Sequence, residues 1–315
     1  MGASDTQVIE WLLAGDPAIR WQTHRDLVGT SDAVVAGEQR KVATEGWGAR
    51  LLAVQDPEGT WSQALYSPKW VSTTYTMLLL RDLGLPADDP QARKACALML
   101  DRAIDPRSRG GVGWISETCV TGLVLSILCW FRLDDERLDR VVDHLLAEQM
   151  PDGGWNCRYR SGATHASMNT TILALEGLLN YQRHRARQAR KLTAVQHAQR
   201  AGREFLLVHH LYLSHRTGEV INRDYVRLAF PPQWHFDVLR GLDHFRDTGA
   251  SRDRRLADGI DLLRSKRQPD GRWLLEHRYK ARDWFQMETI HSPSRWNTLR
   301  GLRVLEWWDG ADGGR

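Results

Sequence analysis

Three near-copies of one phrase punctuate this chain: Gln55-Asp56-Pro57-Glu58-Gly59-Thr60-Trp61, Gln149-Met150-Pro151-Asp152-Gly153-Gly154-Trp155 and Arg267-Gln268-Pro269-Asp270-Gly271-Arg272-Trp273. Each places Pro, an acidic residue and Gly at fixed offsets before Trp. Each follows a Leu-Leu pair, at Leu51-Leu52, Leu145-Leu146 and Leu262-Leu263. A phrase recurring at long intervals marks a repeat architecture, in which one supersecondary unit is copied and stacked. Locally it reads as a helix end and a turn: Pro stops a helix that runs up to the Leu-Leu pair, and acidic-Gly turns the chain. The Trp then packs its apolar face on the next element, leaving its indole N–H to find an acceptor.

A second pattern recurs more often. Arg20-Trp21-Gln22-Thr23-His24-Arg25-Asp26-Leu27 matches Arg295-Trp296-Asn297-Thr298-Leu299-Arg300-Gly301-Leu302 in character, and His235-Phe236-Asp237-Val238-Leu239-Arg240-Gly241-Leu242 is a third copy. Looser versions begin near Trp70, Trp114 and His165. The pattern predicts six apolar inner helices near 17–28, 68–83, 115–131, 165–181, 232–246 and 294–308. It predicts more polar outer helices near 5–14, 32–54, 90–104, 135–149, 190–212 and 254–267. Period-2 alternation of β-branched residues is nearly absent. Six such hairpins can close into a ring, which hides the apolar ends that an open solenoid must cap. The expected fold is all-α, an α/α toroid of six helical hairpins forming one domain over 1–315.

The 315 residues carry a net charge of +4, with 26% charged residues, and no apolar run is long enough to span a bilayer. Met1 to Asp16 lacks a charged-apolar-small export signal, and four cysteines are too few for a disulfide scaffold; a cytoplasmic location is expected. Basic residues are interspersed with acids rather than forming a stripe with exposed aromatics, so no nucleic-acid partner is expected. No phosphate-cradling glycine loop and no Gly-x-Ser-x-Gly elbow occur. Of the aromatic residues, 14 are Trp against 7 Tyr and 6 Phe. Trp21, Trp70, Trp114, Trp234 and Trp296 fall at or near inner-helix starts, where they either pack in the core or line a cavity that attracts an apolar ligand or a cation. The loops 214–231 and 274–293 are long and Arg-bearing, and so are candidate lids able to grip a diphosphate or carboxylate. Arg25, Arg240 and Arg300, at one repeated phase, read as caps of, or bridges between, neighbouring helices.

The Trp phrase resembles the Gln-Trp motif of the terpenoid cyclase and protein prenyltransferase superfamily, whose fold is an α/α toroid. The resemblance implies an enzyme acting on a small apolar or isoprenoid-like molecule in a central aromatic cavity, with Trp70, Trp114, Asn169, Trp234, His235 and Trp296 against the substrate. The Asp-x-Asp-Asp acid of class II cyclases is missing: Asp88-Asp89 and Asp134-Asp135 lie in a loop and at an outer-helix start. That leaves Asp237 or Glu117 as a lone acid. In the prenyltransferase branch an Asp-x-Cys pair and a His bind zinc. Here Glu117-Thr118-Cys119 stands in the place of Asp-x-Cys, Asn169 falls where the family His would be, and His165 lies a turn earlier. Cys119, Cys157 and His165 would then make a zinc site, with Glu117, Cys119, His165 and Asp237 as catalytic groups. The alternative is that the thiols are small buried hydrophobes and His165 a helix-start hydrogen bonder. Prenyltransferases pair their toroid with a helical second subunit, and the sequence leaves that partner open. Two further readings stay open: a zinc enzyme activating a thiol or water on a non-isoprenoid substrate, and a toroid that only binds a ligand.

Overall fold

The computed structural model describes residues 3–103, 115–184 and 189–310, and over them the chain is all-α apart from one short strand pair. The helices are α1 (Ala3–Leu13), α2 (Pro17–Thr23, continued by a π-helical turn His24–Val28), α3 (Asp32–Arg40), α4 (Gly46–Leu52), α5 (Thr73–Leu83), α6 (Pro90–Ala103), α7 (Thr118–Trp130), α8 (Leu138–Ala147), α9 (Met168–His184), α10 (Ala189–Val208), α11 (Val238–Asp247), α12 (Ala257–Ser265) and α13 (Arg295–Asp309). Strand β1 (Trp273–Leu274) pairs antiparallel with β2 (Pro293–Ser294). No helix among the described residues is long and apolar enough to cross a membrane.

The three copies of the Trp phrase make the same hydrogen bonds. Trp61, Trp155 and Trp273 are fully buried. Their indole N–H groups donate to the carbonyls of Leu51, Leu145 and Leu263, each ten residues earlier and each at 2.8 Å. Their backbone N–H groups donate to Thr73, Thr171 and Thr298 Oγ1, at 3.0, 3.0 and 3.1 Å. One Trp thus staples the end of an outer helix to the start of the inner helix that follows. Gly59, Gly153 and Gly271 sit at φ of 94°, 90° and 83°, a region open to Gly at little cost. Each donates its N–H back to the residue three earlier and so closes the turn.

The predicted helices differ from the observed ones mainly at their starts. Residues 68–72, 165–167 and 232–237 are not helical. The chain is held there by other bonds, such as Thr73 and Thr74 hydroxyls donating to Ala64 and Leu65 carbonyls at 2.7 and 2.6 Å. The predicted outer helix 32–54 is split because Asp16 caps two helices at once. One of its oxygens accepts from Ala18 N at 2.9 Å and the other from Trp47 N at 2.8 Å, which starts α4 apart from α3.

The predicted inner helices contact one another in sequence. Trp21 and Gln22 of α2 donate to the Leu83 and Asp82 carbonyls of α5; α5 packs on α7, α7 on α9, and α11 on α13. Glu176 of α9 pairs with Arg240 of α11, and α13 returns to α2. The closest approach is α7 on α9. A Cβ at Gly177 would stand 2.5 Å from the Gly122 carbonyl oxygen, and one at Gly122 would stand 2.6 Å from that of Leu173. Neither backbone can yield without moving a helix, so Gly177→Ala is expected to cost about 1–3 kcal/mol. Urea unfolding followed by circular dichroism checks this; an unchanged midpoint would mean that the two helices are not in such close contact.

Candidate functional site

Several of the aromatic residues expected to line a cavity, Trp70, Trp234 and His235 among them, pack against each other. His235 lies between Trp234, at a ring-centroid distance of 3.7 Å, and Tyr279, at 3.4 Å and parallel to within 1°. Trp70 meets Tyr75 edge-on at 4.7 Å and donates its indole N–H to the Tyr279 carbonyl at 3.1 Å. Trp284 donates to Thr76 Oγ1 at 3.0 Å, and Phe230 stacks on Trp296 at 4.0 Å. The two long loops therefore fill the inner-helix starts with their own side chains, leaving beside Trp70 a space of only about 40 Å³. Burial holds His235 down at about 3, hence neutral. Asn169 Oδ1 accepts the Phe236 N–H at 2.7 Å, fastening this cluster to α9. Trp114 lies outside the described residues.

Two of the expected catalytic groups are engaged in the fold. Asp237 is the N-cap of α11: Oδ1 accepts from Arg240 N at 2.7 Å and Oδ2 from Ala229 N at 3.2 Å, and the side chain is buried. Burial pushes its carboxyl up, but both oxygens are taken by backbone donors, the ordinary use of Asp before a helix. His165 is exposed, its Nδ1 against Thr164 Oγ1 at 2.7 Å and its Nε2 against Arg216 at 3.1 Å.

Glu117 and Cys119 do come together: the Cys119 thiol lies 3.9 Å from Glu117 Oε2. Interaction with Cys119 draws the Cys157 thiol down to about 6 against the opposing effect of burial. The same interaction, with burial, pushes Cys119 up. His165 does not join them: among the described residues no group of three or more His, Cys, Asp or Glu is placed to hold a metal ion. The Cys119, Cys157 and His165 set thus does not fit a zinc ion, which wants at least three protein ligands in tetrahedral array.

A second site gathers residues that lie far apart in the sequence. A cavity of about 380 Å³ is lined by residues of all six inner helices, among them Gln22, Arg81, Trp130, Glu176, Arg240 and Arg300. Its walls are dominated by charge. Glu176 takes a bidentate pair from Arg240, at 2.7 and 2.9 Å, and a further bond from Arg81 at 3.3 Å. Asp243 binds Arg303 through both its oxygens, and Arg303 also reaches Gln22 and Asp26 at 3.0 and 3.1 Å. Burial alone raises both acids, yet the arginines overcome it: Glu176 is held at about 2 and Asp243 well below the usual carboxylate range. Exposed Arg25, Arg183 and Asp247 stand at the mouth. Arg240 and Arg300 do bridge helices, as their phase suggested, but they do so around this cavity.

Several buried polar groups at the cavity are left short of partners. Arg300, 5% exposed, makes two hydrogen bonds among the described residues, both at 3.4 Å, to Asp243 Oδ2 and the Ala229 carbonyl. Trp296 Nε1, on the same face of α13 one turn earlier, has no partner among the described residues, nor do Nδ1 and Nε2 of His244. Burial holds His244 at about 4, hence neutral at pH 7. Buried polar groups are ordinarily paired, so such a concentration at one cavity calls for an explanation. Glu176 was visible in the sequence as a lone acid in the apolar run 170–179, and that was the available signal. Comparison with protein-family models, with curated proteins and with solved structures finds no match.

Proposed function

We propose that the six hairpins form an α/α toroid and that its central cavity receives a small anionic molecule, as the binding site of an enzyme. The return of α13 to α2 supports ring closure. The observation that carries the ligand class is Arg300, a buried guanidinium whose two hydrogen bonds among the described residues are both long, beside a Trp296 indole N–H that has no partner among them. A phosphate or carboxylate oxygen between them would take charge-assisted bonds from both sides. Of the charged side chains lining the cavity, seven are Arg and five are Asp or Glu, so an anion is favoured over a cation. Neutral His244, whose two nitrogens have no partner among the described residues, is a group at the cavity that could hydrogen-bond a bound substrate.

Trp21, Trp130, Phe230 and Trp296 give the same cavity apolar walls. A diphosphate with an apolar tail, as the isoprenoid resemblance implies, would use both kinds of surface. Isothermal titration with inorganic pyrophosphate, geranyl diphosphate and geraniol tests this reading. Saturable, salt-sensitive binding of the two diphosphates is expected, tighter for the geranyl compound, with geraniol inert. Arg300→Met removes a charged partner, a loss of about 1.5–3 kcal/mol, or roughly ten- to a hundred-fold in affinity. Absence of binding by both diphosphates would overturn the ligand class; equal binding to wild type and the Arg300 variant would remove the role given to Arg300.

A further inference from the structure

His244 stands apart from the other titratable residues of the charged cavity. Each acid in the wall is engaged by an arginine: Asp26 by Arg25 and Arg303, Asp82 by Arg81, Glu176 by Arg240, Asp243 by Arg303 and Asp247 by Arg246. His244 lines the same cavity and is 4% exposed, yet neither ring nitrogen has a hydrogen-bond partner among the described residues. A buried imidazole left so is costly, and a ligand in the cavity would relieve the cost. The charged groups that act on the ring are Glu176 and Arg183 of α9, Arg203 of α10 and Arg240 of its own α11. Arg300 and Arg303 of α13 engage Asp243, the residue before it. Helix α12, also packed on α11, directs Asp258 to His210 and Arg264 to Asp309. Three guanidiniums against one carboxylate that is already paired disfavour a proton on the ring, and burial acts the same way.

We propose, on the basis that the cavity receives an anion, that His244 gains a proton as the anion binds and donates a hydrogen bond to it, so that the site holds anions more tightly as pH falls. The proton passes from solvent to the unprotonated ring nitrogen, after which both nitrogens are donors. A ligand oxygen then receives a charge-assisted bond, and the new positive charge offsets part of the negative charge that a diphosphate brings. In the unliganded protein the ring is held at about 4, and a bound anion raises it. Binding therefore takes up a proton wherever the pH lies between the two values, and affinity climbs as pH falls through the upper one. Below about 4 the ring is protonated with or without ligand, and the gain stops. The coupling is reciprocal: whatever factor protonation adds to anion affinity, the anion adds to proton affinity.

Isothermal titration of the full chain with inorganic pyrophosphate, at pH 6 in two buffers of unlike ionisation enthalpy, counts the protons exchanged on binding. The protons of pyrophosphate itself are common to wild type and His244→Asn, so the difference between the two isolates the ring. Wild type is expected to take up about half to one proton more than the variant, and its affinity relative to the variant's to rise by up to about tenfold per pH unit from pH 7 to 5. A second readout needs no variant: with histidine rings labelled with nitrogen-15, one ring of wild type is expected to move from neutral to imidazolium shifts when pyrophosphate is added. Equal proton uptake by wild type and variant, or a spectrum in which no ring changes while binding is saturable, would overturn the inference and leave the anion reading standing. A wild type that binds no pyrophosphate would overturn both.

Discussion

Replacing Glu176 by Ala is expected to destabilise the protein by about 3–5 kcal/mol, because it leaves buried guanidinium groups without their counter-charge. Arg240 is 4% exposed and takes both Glu176 oxygens, and Arg81 shares one of them. Acid should act on the same contact. The Glu176 carboxyl, ordinarily near 4.5, is held at about 2 by Arg240 and Arg81 against the opposing desolvation. A folded-state value below the unfolded one means that the unfolded chain binds the proton first. The contribution is therefore fully present above about 4.5 and is lost as pH falls from there towards 2. Asp243, shifted in the same direction by Arg303, Arg246 and Arg300, adds to the loss at still lower pH. Urea midpoints at pH 6, 4 and 3 measure the slope, which Glu176→Gln should flatten. A Gln variant with the wild-type pH dependence would mean that Glu176 is not ionised between its two arginines.

The parts of the fold legible in the sequence are the local ones. Each Trp of the repeated phrase bonds a carbonyl only ten residues back, so motif and contact lie within one stretch of chain. Helix positions followed from apolar periodicity for the same reason, while helix starts did not. Residues 232–237 look helical by pattern, but there Asp237 caps α11 and Arg240 draws in the Gln233 and His235 carbonyls at 2.9 and 2.7 Å. The cavity depends on pairs far apart in the chain: Glu176 with Arg240 across 64 residues and Asp243 with Arg303 across 60. No periodicity connects such positions. The packing around Trp70 and Trp234 was hidden from the sequence for a related reason. Trp70 donates to the Tyr279 carbonyl, and Trp234 stacks on His235, whose other face lies on Tyr279; Tyr279 comes from the 274–293 loop, which the sequence marked as long without revealing what it covers.

Trp155→Ala is the other substitution expected to be severe, at about 3–5 kcal/mol for emptying a closely packed aromatic site. Trp155 is fully buried, and a Cβ at Gly202 would stand 2.7 Å from its ring and 2.9 Å from Leu175, so neighbouring atoms already crowd the indole. Alanine also leaves the Leu145 carbonyl without its 2.8 Å donor at the end of α8. Trp155→Phe separates the two effects: it keeps most of the ring volume and removes the N–H, and should cost about 1–3 kcal/mol. Chemical denaturation of both variants gives the comparison. If Phe costs as much as Ala, the indole hydrogen bond rather than the ring volume dominates the staple. If Ala costs under about 1 kcal/mol, the site collapses around the smaller side chain and the packing argument fails. Because Trp61 and Trp273 make the same bonds at the same spacing, each should repeat the order of Ala worse than Phe. A copy that departed from it would be one where neighbouring helices, rather than the phrase, hold the hairpin together.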